Sequence, residues 1–153
     1  METSTLDLLM EPAGPAYGGL LDFAATCCPR ALLVVRPETE LGAAGLEVFA
    51  ALKPFLESAV KSDRWPGTQL FGDEAELFHF RLEPGSVEIL KAATDRLYGW
   101  LHPDLPEDLC FFRPDGEVWM ATIAHEEDGF LALSDWERRR LLQAVPGLKL
   151  GGG

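Results

Sequence analysis

Residues 31–35, Ala31-Leu32-Leu33-Val34-Val35, are an unbroken apolar run bounded by Pro29 and Pro37. This is the pattern of a strand covered on both faces. Pro15, suited to a first helical turn, opens a short helix predicted to reach about Thr26. Over residues 40–60, Leu41, Gly45, Val48, Leu52, Phe55 and Ala59 recur with the 3.6-residue period, with Phe49, Leu56 and Val60 beside them. That spacing predicts a helix. Pro54 lies inside it, removing a donor and clashing with the carbonyl of Ala50, so a kink or break is expected near Lys53. Arg64-Trp65-Pro66-Gly67 reads as a turn. Residues 68–71 and 75–82 read as a hairpin across Gly72-Asp73-Glu74, with Phe78, Phe80 and Leu82 on one face and Leu77, His79 and Arg81 on the other.

Ser86 is the expected cap of the next helix, whose stripe is Val87, Leu90, Thr94, Leu97, Tyr98 and Leu101, closed by His102-Pro103. Residues 109–113 and 117–125 flank Pro114-Asp115-Gly116, a type I turn followed by a residue able to take positive φ. A third strand over residues 130–133 completes a meander. Pairing Arg113 with Glu117 places Cys110 opposite Met120, on the side of Val118, and puts His125 with Trp119, Ala121 and Ile123, the face expected to pack on helices. Ser134-Asp135-Trp136-Glu137 is a capping box opening a helix that ends before Pro146. Strands joined by hairpins, with helices between them, predict one α+β domain over residues 1–150, mostly antiparallel sheet with helices packed on it. Residues 1–12 read as a loosely ordered terminus and residues 151–153 as a flexible glycine tail.

A length of 153 residues, with 47% apolar and 25% charged side chains, suits a single globular core. Charge sharpens the picture, because the formal net charge is −12. Residues 1–133 hold nine basic and 23 acidic side chains, whereas residues 134–153 hold four and two. The acidic body repels phosphate backbones and anionic lipid, so no nucleic acid and no membrane are expected as partners; it accelerates encounter with a basic protein. The acidic opening Met1-Glu2-Thr3-Ser4 has no basic-then-apolar character, and Cys27, Cys28 and Cys110 are an odd count with two adjacent. Both point to a cytoplasmic, reducing location.

No glycine-rich phosphate loop and no glycine-flanked nucleophilic serine occur, so no catalytic residue and no cofactor are assigned. Cys110 and His125 fall on opposite faces of the meander, which argues against a thiol–imidazole pair. The densest set of ligand-type side chains is His125-Glu126-Glu127-Asp128, which with His102, Asp104 or Asp108 offers metal-binding chemistry but lacks the helical His pair of a zincin. Most of the tryptophans fall at positions predicted to face the core. Trp65, beside Pro66 in a turn, is the expected exposed anchor. Arg138-Arg139-Arg140 reads as a solvated face answering the helix dipole and the acidic body. The partner-binding candidates are Trp65, Glu107, Asp108, His125, Glu126, Glu127 and Asp128.

The stretch Leu105-Pro106-Glu107-Asp108-Leu109-Cys110-Phe111, continuing through residues 119–126 to Phe130-Leu131, resembles a pattern recurring in small uncharacterised bacterial proteins. The resemblance implies bacterial origin and a compact α+β domain, and carries no catalytic residue. In size and acidity the chain is similar to cytosolic immunity proteins, which neutralise basic toxin nucleases. Leu148-Lys149-Leu150-Gly151-Gly152 resembles the tail of ubiquitin-like modifiers. The expected function is an acidic protein-binding module, immunity-like or regulatory, acting on a basic protein. The alternatives are a metal-assisted hydrolase built on the 125–128 cluster and a ubiquitin-like modifier.

Overall fold

The computed structural model describes residues 1–152. In chain order the elements are β1 (Ser4–Leu8), α1 (Pro15–Cys27), β2 (Arg30–Val35), α2 (Ala43–Leu52), β3 (Leu56–Ser62), β4 (Arg64–Trp65), β5 (Thr68–Gln69), β6 (Ala75–Arg81), α3 (Pro84–Ala93), β7 (Glu107–Phe112), β8 (Val118–Ile123), β9 (Asp128–Leu133), α4 (Asp135–Ala144) and β10 (Leu150–Gly152). Eight strands form one antiparallel sheet in the order β10-β1-β9-β8-β7-β2-β6-β3, and β4 and β5 pair separately. The fold class is α+β, as the alternation of hairpins and helices predicts.

The apolar run of β2 lies inside the sheet because both its faces are covered. Ala31 and Leu33 belong to the larger core, with Leu20, Leu21 and Ala24 of α1, Val87 and Leu90 of α3, and Leu141 of α4. Leu32 and Val34 belong to a second core with Leu77, Cys110, Phe112, Ala121 and Trp65. The β4–β5 hairpin therefore covers part of the face the helices leave bare. Cys28 and Cys110 are buried, Cys27 is half-buried, and all three thiols are free. Burial pushes the Cys110 thiol up to about 12, so it behaves as a small core hydrophobe.

The capping box is present as its spacing predicts: the Ser134 hydroxyl accepts the Glu137 N–H at 3.2 Å, and the Glu137 carboxylate accepts the Ser134 N–H at 2.9 Å. Glu137 also receives both arms of the Arg113 guanidinium, at 2.8 and 2.7 Å, and Arg113 reaches the Ala132 carbonyl at 2.7 Å. One ion pair thus ties the end of β7, the end of β9 and the start of α4 together.

Several expectations are corrected. Residues 1–12 are not loose, since β1 pairs with β9 and buries Leu6 and Leu8. Gly151 and Gly152 are not a free tail but pair with β1, while Gly153 lies outside the described residues. The helix expected over residues 40–60 stops at Leu52; a 3₁₀ turn, Lys53–Phe55, follows, and Leu56–Ser62 becomes the edge strand β3. Pro54 breaks the helix rather than kinking it, because β6 offers residues 56–62 a ladder of hydrogen bonds. β6 therefore pairs with β2 and β3, not with residues 68–71, which close the small β4–β5 hairpin instead. In α3 the N-cap is Glu83, with Ser86 at the third position returning the bond, and the helix ends at Ala93 because Thr94 is already extended.

The meander's register shifts at Trp119. Phe112 pairs with Val118 but Phe111 with Met120, so Trp119 is the extra residue of a β-bulge. Trp119 and Met120 both enter the helix-side core, Ala121 and Cys110 go to the opposite side, and Ile123 meets the β4–β5 hairpin. The expected Cys110–Met120 pairing is replaced, and the Trp119/Ile123 face is split. Cys110 and His125 remain apart: the first is fully buried and the second exposed.

Candidate functional site

Four separate segments converge at one end of the sheet. β2 ends in Arg36, the first charged residue after its apolar run, and β7 opens with Glu107 and Asp108. The β4–β5 hairpin supplies Trp65, and the connection from β8 to β9 is a 3₁₀ turn, Ala124–Glu126, whose next residue Glu127 takes φ 52. Asp108 also lies in the left-handed region, at φ 58, a conformation rare for residues other than glycine and least costly for Asp and Asn.

That backbone geometry turns the Asp108 carboxylate inward, where it is fully buried. Its Oδ2 accepts the Trp65 indole N–H at 2.9 Å and its Oδ1 accepts the Ala124 backbone N–H at 3.0 Å. Glu107, 3% exposed, accepts the Arg36 Nε–H on Oε2 and the His102 backbone N–H on Oε1 at 3.3 Å. The Arg36 guanidinium spans both acids, with Nη2 3.8 Å from Asp108 Oδ2, and lies 5.3 Å above the Trp65 ring. His102 Nε2 accepts the Arg36 backbone N–H at 3.0 Å, which requires that nitrogen to be unprotonated.

Burial pushes the Asp108 carboxyl above its usual range, against the two N–H donors that favour its charged form. Burial likewise lowers His102, against the pull of Glu107. Glu107, Asp108 and His125 each present a ligand atom within 4.8 Å of the other two, the spacing a metal ion needs. Yet all four carboxylate oxygens already accept an N–H, and the guanidinium of Arg36 stands against both acids, supplying the positive charge a cation would bring. Both carboxylates are buried, Asp108 beneath the Trp65 indole of the 64–69 hairpin. As built, the cluster positions backbone: Asp108 locks the Ala124 turn and the Trp65 hairpin to the head of β7.

The sequence-derived candidates divide accordingly. Trp65 is not the exposed anchor its turn suggests, being 6% exposed and bonded to Asp108. Glu107 and Asp108 are buried too, so these three stand behind the surface, whereas His125, Glu126, Glu127 and Asp128 are exposed on it. Glu127 and Asp128 lie close enough to Tyr98, beside Glu11, that burial and these charges together push its phenol up to about 12. Most of the tryptophans are expected to face the core, and Trp136 is the one that does not, at 60% exposed. Arg36 went unnoticed in the sequence. Its one signal is position, a lone cation closing an apolar strand before Pro37.

No family model, curated protein or solved structure matches the chain.

Proposed function

We propose that the protein is a non-catalytic binding module that engages a basic protein partner through the acidic turn at residues 125–128, in the manner of an immunity or regulatory protein. The observation that carries this reading is the Asp108–Ala124 hydrogen bond. It fixes the turn from beneath, so that Glu126, Glu127 and Asp128 project from a backbone held in place before any partner arrives. The net charge of −12 supplies the long-range field that draws a basic surface in.

The test is capture from a cell extract on the immobilised protein, in parallel with a Glu126→Gln/Glu127→Gln/Asp128→Asn variant. The expected result is a basic protein retained by the first and lost by the second, with an association rate that falls at least tenfold as salt rises from about 0.05 to 0.3 M. Equal capture by both proteins, or a salt-independent association rate, overturns the proposal. The modifier reading draws no support from the tail, because Gly151 and Gly152 are strand residues paired to β1.

A further inference from the structure

On the helical side, far in chemistry from the acidic turn, α1 and α4 border an open groove of about 740 Å³ lined by Phe23, Thr26 and Cys27 on one wall and Trp136, Arg140 and Gln143 on the other. The α4 periodicity explains why these side chains meet. Glu137 and Leu141 turn inward and are buried, so Trp136, Arg140 and Gln143, at helical spacings of four and three, form the neighbouring stripe. Arg139 borders that stripe, while Arg138 falls on the other flank of the helix, in a separate depression with Ser4 and Leu133. On the apolar wall, Phe23 stacks on the buried Trp119 ring with centroids 6.2 Å apart.

Two features of the groove are unusual for this chain. Trp136 is 60% exposed, whereas Trp65, Trp100 and Trp119 are 6%, 0% and 0% exposed, and the Arg140 guanidinium lies over its face at 5.1 Å. In addition, none of the ion pairs among the described residues uses Arg138, Arg139 or Arg140, although the chain has 25 acidic side chains. The one local acid on the α1 side, Asp22, is taken by Lys91 at 2.6 Å. An exposed indole beside unpaired guanidinium groups is the composition of an interaction hot spot.

We infer that the α1–α4 groove is a docking site for an acidic peptide segment of a partner protein, one large apolar side chain of which enters between Phe23 and Trp136 while flanking carboxylates pair with Arg140 and Arg139. Charge complementarity selects the occupant. A basic segment meets the arginines unfavourably. An extended polyanion such as nucleic acid or an anionic bilayer meets the −12 field of the whole molecule as well as the groove. A short acidic peptide brings fewer charges against the acidic remainder than a long polyanion does, and its attraction to the arginines acts within a Debye length of about 8 Å. Planar guanidinium groups suit carboxylates because they offer paired donors. The site is independent of the acidic turn, and neither requires the other.

Trp136 provides the readout, since it is the exposed indole whose emission responds to burial. The probes are three synthetic twelve-residue peptides: a Glu-rich one with a central Phe, the same with Gly in place of Phe, and a Lys-rich one with Phe. The expected result is a saturable blue shift with the Glu/Phe peptide, and a Trp136 shift that takes at least tenfold more of either of the other two, whatever the Lys-rich peptide does at the acidic surface elsewhere. With a fluorescein-labelled Glu/Phe peptide, Trp136→Ala and Arg139→Gln/Arg140→Gln each weaken binding at least tenfold while thermal melting stays that of the parent. The triple variant of the 125–128 turn binds the peptide normally, which separates failure here from failure of the function proposed above. An equal Trp136 shift with all three peptides overturns the inference. So does binding that ignores the arginine substitutions, or preference for phosphatidylserine vesicles or a single-stranded oligonucleotide over the peptide.

Discussion

The end of the sheet around Asp108 and the groove beside α4 treat charge in opposite ways. At the first, two carboxylates are 0% and 3% exposed, each oxygen has a donor, and one guanidinium lies against both. At the second, Arg139 and Arg140 are exposed and take part in none of the ion pairs among the described residues, and a tryptophan stands out beside them. Buried charge is expensive unless partnered, so carboxylates whose oxygens all have donors hold the fold and have little left to offer another molecule, while Arg36 Nη2 and His102 Nδ1 are buried in the same cluster without a hydrogen-bond partner. Exposed, unpartnered charge costs nothing in the free protein and is available. The same contrast separates Trp65, whose N–H is spent on Asp108, from Trp136, whose ring is open.

The largest effect is expected from breaking the buried cluster. Asp108→Ala leaves the Trp65 indole N–H, the Ala124 N–H and part of the Arg36 charge without an acceptor, and should cost about 3–5 kcal/mol. Urea denaturation measures it directly. A loss below about 1 kcal/mol means that water or a neighbour replaces the carboxylate, and that the turn at residues 125–128 is not held by it.

Two buried acids sharpen the contrast through pH. Asp108 is raised by burial, so the stability it contributes is complete below the ordinary carboxylate range and is lost as pH rises through its folded value. Glu137 is pushed up by burial but more than compensated by the Arg113 guanidinium and the Ser134 N–H, leaving it lowered. Its contribution is present above the ordinary range and is lost as pH falls through its folded value. The costs of Asp108→Asn and Glu137→Gln, each about 1–3 kcal/mol, should therefore move in opposite directions with pH. As pH rises, the first shrinks above the ordinary carboxylate range and the second grows below it. Parallel slopes in a denaturation series taken across that range contradict the assignment.

The divide between the two regions was only partly legible in the chain. The β2 run, the Pro114-Asp115-Gly116 turn and the Ser134/Glu137 box are local signals, and each element forms where its residues point. β1 carries the alternation Ser4-Thr5-Leu6-Asp7-Leu8, but strand residues at a terminus announce no partner, and its partners β9 and β10 lie more than 120 residues on. Residues 56–60 satisfy both a helical and a strand pattern, and the free edge of β6 decides between them. The Asp108 cluster joins Arg36, Trp65, His102 and Ala124 through contacts separated by 16 to 71 residues, and no spacing in the sequence encodes those. The burial of Trp65 and the exposure of Trp136 were hidden for a related reason. Pro66 marks a turn but not what the turn folds onto, and the capping box fixes where α4 starts but not how its second residue is covered.

A smaller effect separates the two tryptophans. Trp136→Ala removes an exposed ring and should change stability by no more than about 0.5 kcal/mol. Trp65→Phe keeps an aromatic in the hairpin but deprives Asp108 of a donor, and should cost about 1–2 kcal/mol. Thermal melting of the two variants side by side checks the order. If Trp136→Ala is the more damaging, the groove is structural and its indole has a packing role.

The smallest expected effect concerns metal. Glu107, Asp108 and His125 are spaced for a cation, but Arg36 stands against both acids. A divalent ion entering the cluster would meet that guanidinium at close range, in a buried setting where like charges repel strongly. Chelator followed by dialysis, or addition of zinc, should therefore leave the melting temperature of the parent protein unchanged. Arg36→Gln removes the competing charge and leaves both carboxylates without their counter-ion. That variant should be less stable than the parent without metal and should gain melting temperature on adding zinc, because a ligand that binds the folded state at 100 times its dissociation constant contributes about 2.7 kcal/mol. Asp108→Asn in the same background should abolish the gain. A rise in melting temperature of the parent itself would show that Arg36 yields to a metal, making the cluster a coordination site rather than a brace.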